Sequence, residues 1–271
     1  MVTYRPDRAL LERTFRSLVA ACVRICGGRG AERLRVILID NGDDLDADLY
    51  RVLTECQQVE VIALRGHGNV GYGAGHNLAL PYADGDYHLV LNPDVEVGPD
   101  AIERALTFLD KHPAFGLLAP RVRNDSGEVE YLCRQFPSML TLFVRGFLPQ
   151  RLRGLFRGRL ARYELRDKIG SDGELIDPSL ETLEPQIVSG CFMFFRTAPL
   201  LQVGGFDRRY FLYFEDYDLS LRVREVARIA YVPEVRIVHS GGGAARKGRA
   251  HIKMFVASAM RFYARFGWRV L

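Results

Sequence analysis

The chain has 271 residues, 48% of them hydrophobic and 26% charged, enough to bury a sizeable core and too apolar for a disordered chain. No stretch approaches the ~18 consecutive apolar residues a spanning helix needs, and the opening MVTYRPDRALLERTF carries no apolar signal core. Neither an integral membrane protein nor a secreted one is expected, and five scattered cysteines without a CxxC pair (Cys22, Cys26, Cys56, Cys133, Cys191) fit buried free thiols in a reducing cytoplasm. The net charge of +4 is small but uneven: eight Lys/Arg and two acids lie between Arg145 and Lys168, and eight Lys/Arg with no acid from Val235 to the end. Such segments suit an anionic membrane surface, a pyrophosphate-bearing acceptor or nucleic acid, or form an ordinary solvated basic face.

Apolar runs at LRVILID (34–40), VEVIALR (59–65), DYHLVLN (86–92) and FGLLAP (115–120) alternate with helical patterns at 7–26, 46–56, 73–83 and 99–111. That alternation predicts an α/β fold with right-handed crossovers and a mostly parallel sheet covered on both faces. Residues 121–185 are irregular and richer in Arg, Gly and Pro, and read as an insertion with short helices and a small antiparallel excursion. Order resumes at IVSGCFMFFRT (187–197), a buried strand. A Gly204-Gly205 turn, a helix around 215–226, a strand pair near 229–239 and a closing helix near 250–266 follow. The whole chain, 1–271, reads as one domain with a first half 1–120, the insertion 121–185 and a second half 186–271.

Ligands of such sheets bind beyond the carboxyl ends of the strands, so the polar clusters there carry the functional reading. Asp40-Asn41-Gly42 suits a base or ribose contact, or a plain turn. In GHGNVGYGAGHN (66–77), Gly66, Gly68 and Gly71 match GxGxxG formally, but this fingerprint belongs in the first βα turn and this copy sits in the third. A dehydrogenase is the weaker reading for that reason. Asn92-Pro93-Asp94 ends a strand where a carboxylate can ligate Mg²⁺ or Mn²⁺, or cap the helix that begins directly after it. VGGFDRRYFLYFEDYDLSLRVRE (203–225) sets Glu215, Asp216 and Asp218 among aromatics; on a helix they cannot all share one face, so one can point into a cleft while another fixes local structure. Desolvation by the aromatics would raise a carboxylate towards general-base range, while the alternative is charge complementing a helix dipole. His239 ends the last strand beside a Gly-rich loop, as a structural residue or a second metal ligand.

Together these segments resemble the inverting glycosyltransferases of family two, with their nucleotide-diphospho-sugar transferase (GT-A-like) fold. VTY (2–4) is similar to the opening strand end, IDNGDD (39–44) to the nucleotide-binding turn and GNVGYGAGHN (68–77) to the Gly-rich segment. LNPDVEV (91–97) resembles the metal-binding motif, and 189–225 the acceptor and base region. The resemblance implies a metal-dependent transfer, using Mg²⁺ or Mn²⁺, of a sugar from a dTDP- or UDP-sugar donor to an acceptor hydroxyl. It implies donor contacts from Thr3, Tyr4, Asp40 (on the base), Asn69, Gly71, Asn77 and Asn92, and metal ligation by Asp94 and His239. Asp216 would be the base, supported by Glu215. LNPDV in place of Asp-x-Asp is most similar to the rhamnosyltransferase-type branch that builds bacterial cell-surface polysaccharide. The acceptor implied is a glycan or polyprenyl-diphosphate-linked glycan at the inner membrane face, with no nucleic acid partner.

Two departures bear on these expectations. Where relatives have a full apolar strand, only Met1 and Val2 precede Thr3-Tyr4, an expectation of a wrongly placed start or a truncation that weakens the first strand and part of the nucleotide pocket. Arg5 stands where an Asn is common. A rival reading is therefore a nucleotide-sugar-binding module without catalysis.

Overall fold

The computed structural model describes residues 1–29, 34–241 and 248–270, so most of the Gly-rich loop after His239 lies outside the described residues. The first half holds β1 (Val2–Thr3), α1 (Arg8–Arg29), β2 (Leu34–Asp40), α2 (Arg51–Thr54), β3 (Val59–Leu64), α3 (Tyr72–Asn77), β4 (Tyr87–Leu91), β5 (Val95–Val97), α4 (Ala101–Lys111) and β6 (Phe115–Arg123). The insertion supplies β7 (Val129–Glu130), β8 (Cys133–Arg134), α5 (Met139–Phe147), α6 (Gln150–Arg153) and α7 (Arg157–Tyr163). The second half adds β9 (Ile187–Val188), β10 (Phe192–Arg196), α8 (Thr197–Gln202), α9 (Glu215–Val223), β11 (Arg228–His239) and α10 (Arg249–Phe266).

The strands form two main sheets. β1, β2 and β3 pair in parallel in that order, as the alternation of strands and helices requires. The second sheet runs β4-β10-β6-β11-β5 with β7 beside β6, and it is mixed. β10 lies antiparallel between β4 and β6, because the chain returns from the insertion on the opposite heading; β11 is parallel to β6 and antiparallel to β5. The mostly parallel arrangement thus holds in the first sheet only.

Other local expectations shift for readable reasons. The run 187–197 breaks into β9 and β10 around Ser189-Gly190-Cys191. The expected strand pair near 229–239 is one twelve-residue strand whose register slips between Val232 and Arg236, around Pro233, which has no N–H for the ladder. The helix expected at 46–56 shortens to Arg51–Thr54, since Asp46 spends its carboxylate and carbonyl on Leu49 N–H in a turn. The helix expected at 73–83 is α3 followed by a 3₁₀ turn over Leu80–Tyr82 that contains Pro81.

On α1, Leu11, Phe15, Leu18, Cys22 and Ile25 recur at helical spacing and are all buried, in the core shared with α4 and the inner faces of the sheets. Phe195, Met193, Leu219 and Val223 pack a second core between the mixed sheet and α9. Leu142, Tyr163, Tyr210, Phe214, Phe262 and Tyr263 form a third, aromatic one that joins α5, α7, α9 and α10. Val2 and Thr3 of β1 pair with Ile39 and Asp40, and a cavity of about 530 Å³ lined by Met1, Leu34, Ile37, His76, His88 and Leu89 lies between β2 and β4.

Candidate active site

The carboxyl ends of β4 and β11 bring Asp94 and His239 together from the two halves of the chain. His239 Nε2 lies 3.6 Å from Asp94 Oδ1, and that oxygen is buried without a hydrogen-bond partner. On the other side of the ring, Nδ1–H donates to Glu130 Oε2 at 2.8 Å. A carboxylate behind a histidine fixes the tautomer and aims the other nitrogen, an arrangement that suits a metal ligand. Burial opposes the charged imidazole, and the Glu130 bond with the Asp94 charge outweighs it, so the His239 pKa is raised. Gly241 keeps the corner open: a Cβ there would stand 2.0 Å from Asp94 Oδ2 and 3.0 Å from His239 Nε2. Among the described residues no group of three or more His, Cys, Asp or Glu could hold a metal unaided. The residues fit a cation held by two side chains with the remaining positions left to ligand oxygens and water.

Across the same cleft, Glu215 and Asp216 open α9. The two residues before them, Tyr213 and Phe214, both take the left-handed conformation (φ 71° and 65°), an arrangement that costs about 1–3 kcal/mol each and is held by the aromatic core. That kink turns the helix N-terminus and Asp216 onto the loop between β9 and β10. Gly190 N–H donates to Asp216 Oδ2 at 3.0 Å and Tyr217 N–H to Oδ1 at 2.9 Å. Burial raises the Asp216 pKa, and the Gly190 bond and the charge of Arg134 oppose it. Glu215 is buried with Oε2 unpartnered, and burial with the neighbouring Asp216 charge pushes its pKa well above the ordinary value. The two N–H donors on Asp216 favour its ionised form, whereas the unpartnered Glu215 oxygen has no donor to favour its own. Asp218 points the other way, into ion pairs with Arg222 and Arg265.

Tyr72 bridges the two corners. Its hydroxyl lies 2.9 Å from Asn92 Oδ1 and 2.5 Å from the Gly190 carbonyl oxygen, so its one proton is shared between the strand end that precedes Asp94 and the loop that holds Asp216. Gly71 lets this happen: its φ is 89°, and a Cβ would come within 2.4 Å of the Phe211 carbonyl, to which Tyr72 N–H donates. The Gly-rich segment thus serves to let α3 approach the aromatic loop closely.

Residues 1–198 match the model described as Glycosyl transferase family 2. The chain belongs to that family. It is 30% identical over 253 residues to the N-acetylglucosaminyl-diphospho-decaprenol L-rhamnosyltransferase of Mycobacterium tuberculosis, across 88% of this chain and 74% of that protein. It is 29% identical over 218 residues to Rhamnosyltransferase WbbL of Escherichia coli K12, across 77% and 73%. Among solved structures, the mannosyltransferase PcManGT from Pyrobaculum calidifontis in complex with GDP-Man and Mn²⁺ has a TM-score of 0.58 at 16% identity. That match covers 96% of this chain and 62% of the other, and is a likeness of fold. The chain is a glycosyltransferase with the GT-A-like fold.

In this transferase the residues expected around the donor fall into two groups. Asn92 joins the cleft through Tyr72, and Tyr4 lies half exposed just past β1. Asn69 Oδ1 accepts from Gly71 N–H and from Asn41 Nδ2 in the Gly-rich turn. The others are spent within the protein. Asp40 is buried, its carboxylate accepting the N–H groups of Gly42, Asp44 and Leu45, so it shapes the turn that presents the 41–44 backbone. The Thr3 hydroxyl is buried on the Ile39 carbonyl. Asn77 is buried with both ends of its amide on the Phe206 backbone, locking α3 to the Gly204-Gly205 turn in place of reaching a ligand. Glu130, Tyr72, Gly190 and Gly241 join the candidate site, and the sequence reading gave none of them a role there, although Tyr72 and Gly190 sat inside segments already marked.

Proposed function

We propose that this glycosyltransferase inverts configuration as it moves a sugar, rhamnose by analogy with its relatives, from a nucleotide diphosphate to a polyprenyl-diphosphate-linked glycan. The observation that supports the reading is the tethering of Asp216 to the Asp94 corner through Gly190, Tyr72 and Asn92, which suits a carboxylate base and a cation acting on one bound donor. The M. tuberculosis relative's printed name supports the acceptor class, and the basic insertion supports an anionic one.

Asp216, held by two backbone N–H groups, accepts the proton of the acceptor hydroxyl. The acceptor oxygen bonds to the anomeric carbon as the bond from that carbon to the diphosphate oxygen breaks, and the nucleoside diphosphate leaves on the opposite face. A divalent cation bound at Asp94 and His239 would neutralise the charge on the leaving diphosphate. Glu215, holding its proton, adds no second negative charge beside Asp216. The loop 41–44 and the Asn69–Gly71 turn line the side where the nucleotide is expected.

The test is Asp216→Asn, isosteric and unable to accept the proton. Transfer is expected to fall by at least about a thousandfold while donor affinity in calorimetry stays within about twofold. Turnover near that of the unaltered enzyme overturns the assignment.

A further inference from the structure

β8 carries a guanidinium into the aromatic cluster behind the base. Arg134 is 6% exposed, and among the described residues it has no ion-pair partner. Its Nη1 donates to the Tyr217 hydroxyl at 2.9 Å and reaches that of Tyr163 at 3.4 Å; the two hydroxyls lie 2.7 Å apart, and Nε is buried without a partner. A buried cation that meets only neutral groups is costly, so an opposite charge nearby has to offset it. Glu164, the acid beside it, is already shared between Arg145 and Arg166. Asp216, adjacent in sequence to Tyr217, remains, and the Arg134 charge favours its ionised form.

The frame between them is fixed. Arg134 sits opposite Ile187 in the β8–β9 pair, and β9 leads into the Gly190 N–H that holds Asp216. The Ser220 hydroxyl donates to the Asp216 carbonyl at 2.7 Å and accepts from Val188 N–H at 3.1 Å, riveting β9 to α9. The other groups that face Asp216 are Glu215 on its own helix, Tyr72 from α3 and Cys191 from the loop after β9. Burial pushes all three up, towards their neutral forms. Tyr217 is also reached by Tyr163 of α7 and by the charge of Arg145 of α5, but the latter is held by Glu164.

We propose that Arg134 is a positioning residue of the transfer reaction: its charge, held on the Tyr217 hydroxyl, keeps the Asp216 carboxylate ionised and set to take the acceptor proton. The inference rests on the role given to Asp216 above.

The experiment is the pH profile of kcat/KM, with donor affinity and melting temperature, for Arg134→Met, Arg134→Lys and Tyr217→Phe. In Arg134→Met the acidic limb is expected to move about one unit to higher pH, with roughly tenfold lost below it and regained above it. Arg134→Lys keeps the limb near its original place, and Tyr217→Phe moves it in the same direction by less. Donor affinity stays within about twofold in all three. A folded Arg134→Met enzyme with an unmoved limb, or one that loses the same factor at every pH, overturns the proposal. If Arg134→Met fails to fold, a Tyr217→Phe enzyme with an unmoved limb does so. Near-normal turnover in Asp216→Asn would instead remove the base itself, a failure that this series distinguishes because it reads only the limb of an active enzyme.

Discussion

Glu130 stands 2.8 Å behind His239, on the side of the imidazole away from Asp94, and so decides which nitrogen faces the cleft. Strand β7 is two residues long and exists through its pairing with Val122 and Arg123 of β6. The irregular insertion thus brings the Glu130 carboxylate to the back of the His239 ring. Glu130→Gln leaves an acceptor for Nδ1–H but removes the charge, and Glu130→Ala removes both. Mn²⁺ affinity, measured by calorimetry in the presence of nucleoside diphosphate, is expected to fall by about 10–100-fold in the alanine variant and by less in the glutamine. Unchanged Mn²⁺ affinity in both would detach Glu130 from any metal held at Asp94 and His239.

Glu215 makes a prediction about stability and pH. Its folded pKa is raised well above the ordinary 4.5, so the folded state holds the proton more tightly than the unfolded one. Its contribution is therefore fully present below the ordinary value and is lost as pH rises towards the folded pKa. Glu215→Gln keeps the neutral shape at every pH. The variant and the parent should melt together in acid, and the variant should melt progressively higher as pH climbs past 4.5. A melting difference that does not grow with pH would show that Glu215 ionises as an ordinary surface acid.

Much of this was legible in the residues, and what was missed has a common physical cause. The acids at 215, 216 and 218 cannot all share one helix face, and the structure places Asp218 away from Asp216 as that geometry requires. The parallel first sheet followed from alternation alone. What alternation cannot give is strand order: β10 enters antiparallel between β4 and β6 across a long insertion, and nothing in FMFFR states its heading. Asn77 ends the Gly-rich segment, and its amide partner, Phe206, is 129 residues away and comes within reach because Gly205 has no Cβ to strike the amide. Glu130 was invisible for the same reason, 109 residues from the histidine it orients.

Asp218 is fully buried and shared between Arg222 Nε at 2.6 Å and Arg265 Nη1 at 3.0 Å, so it ties α9 to α10. Arg222 in turn donates to the Val203 carbonyl beside the Gly204-Gly205 turn. Removing the acid leaves a buried guanidinium uncompensated, so Asp218→Ala is expected to cost about 3–5 kcal/mol. Denaturant unfolding checks the magnitude. At temperatures where the variant stays folded, kcat should stay within a few-fold of the parent, because the carboxylate faces the helix pair; a selective collapse of kcat without loss of stability would place Asp218 in the chemistry.

Arg269 and Val270 carbonyls accept from Met139 and Leu140 N–H at 2.7 and 3.2 Å, so the tail after α10 lies along the start of α5. This brings exposed Met139 beside Trp268 and Val270, and the Arg-rich stretch that follows carries Leu155, 82% exposed. No helix of the described residues is long and apolar enough to cross a membrane. Exposed apolar side chains among arginines suit the surface of an anionic bilayer, where each basic residue contributes about 1 kcal/mol and the apolar tips enter the headgroup layer. The double variant Leu155→Glu and Val270→Glu is expected to bind phosphatidylglycerol-containing vesicles about tenfold more weakly, roughly 1.4 kcal/mol, with donor affinity unchanged. High salt should weaken binding of the parent as well. A parent enzyme that ignores such vesicles at low salt would leave the basic insertion as a solvated face and move the search for the acceptor contact to the cleft itself.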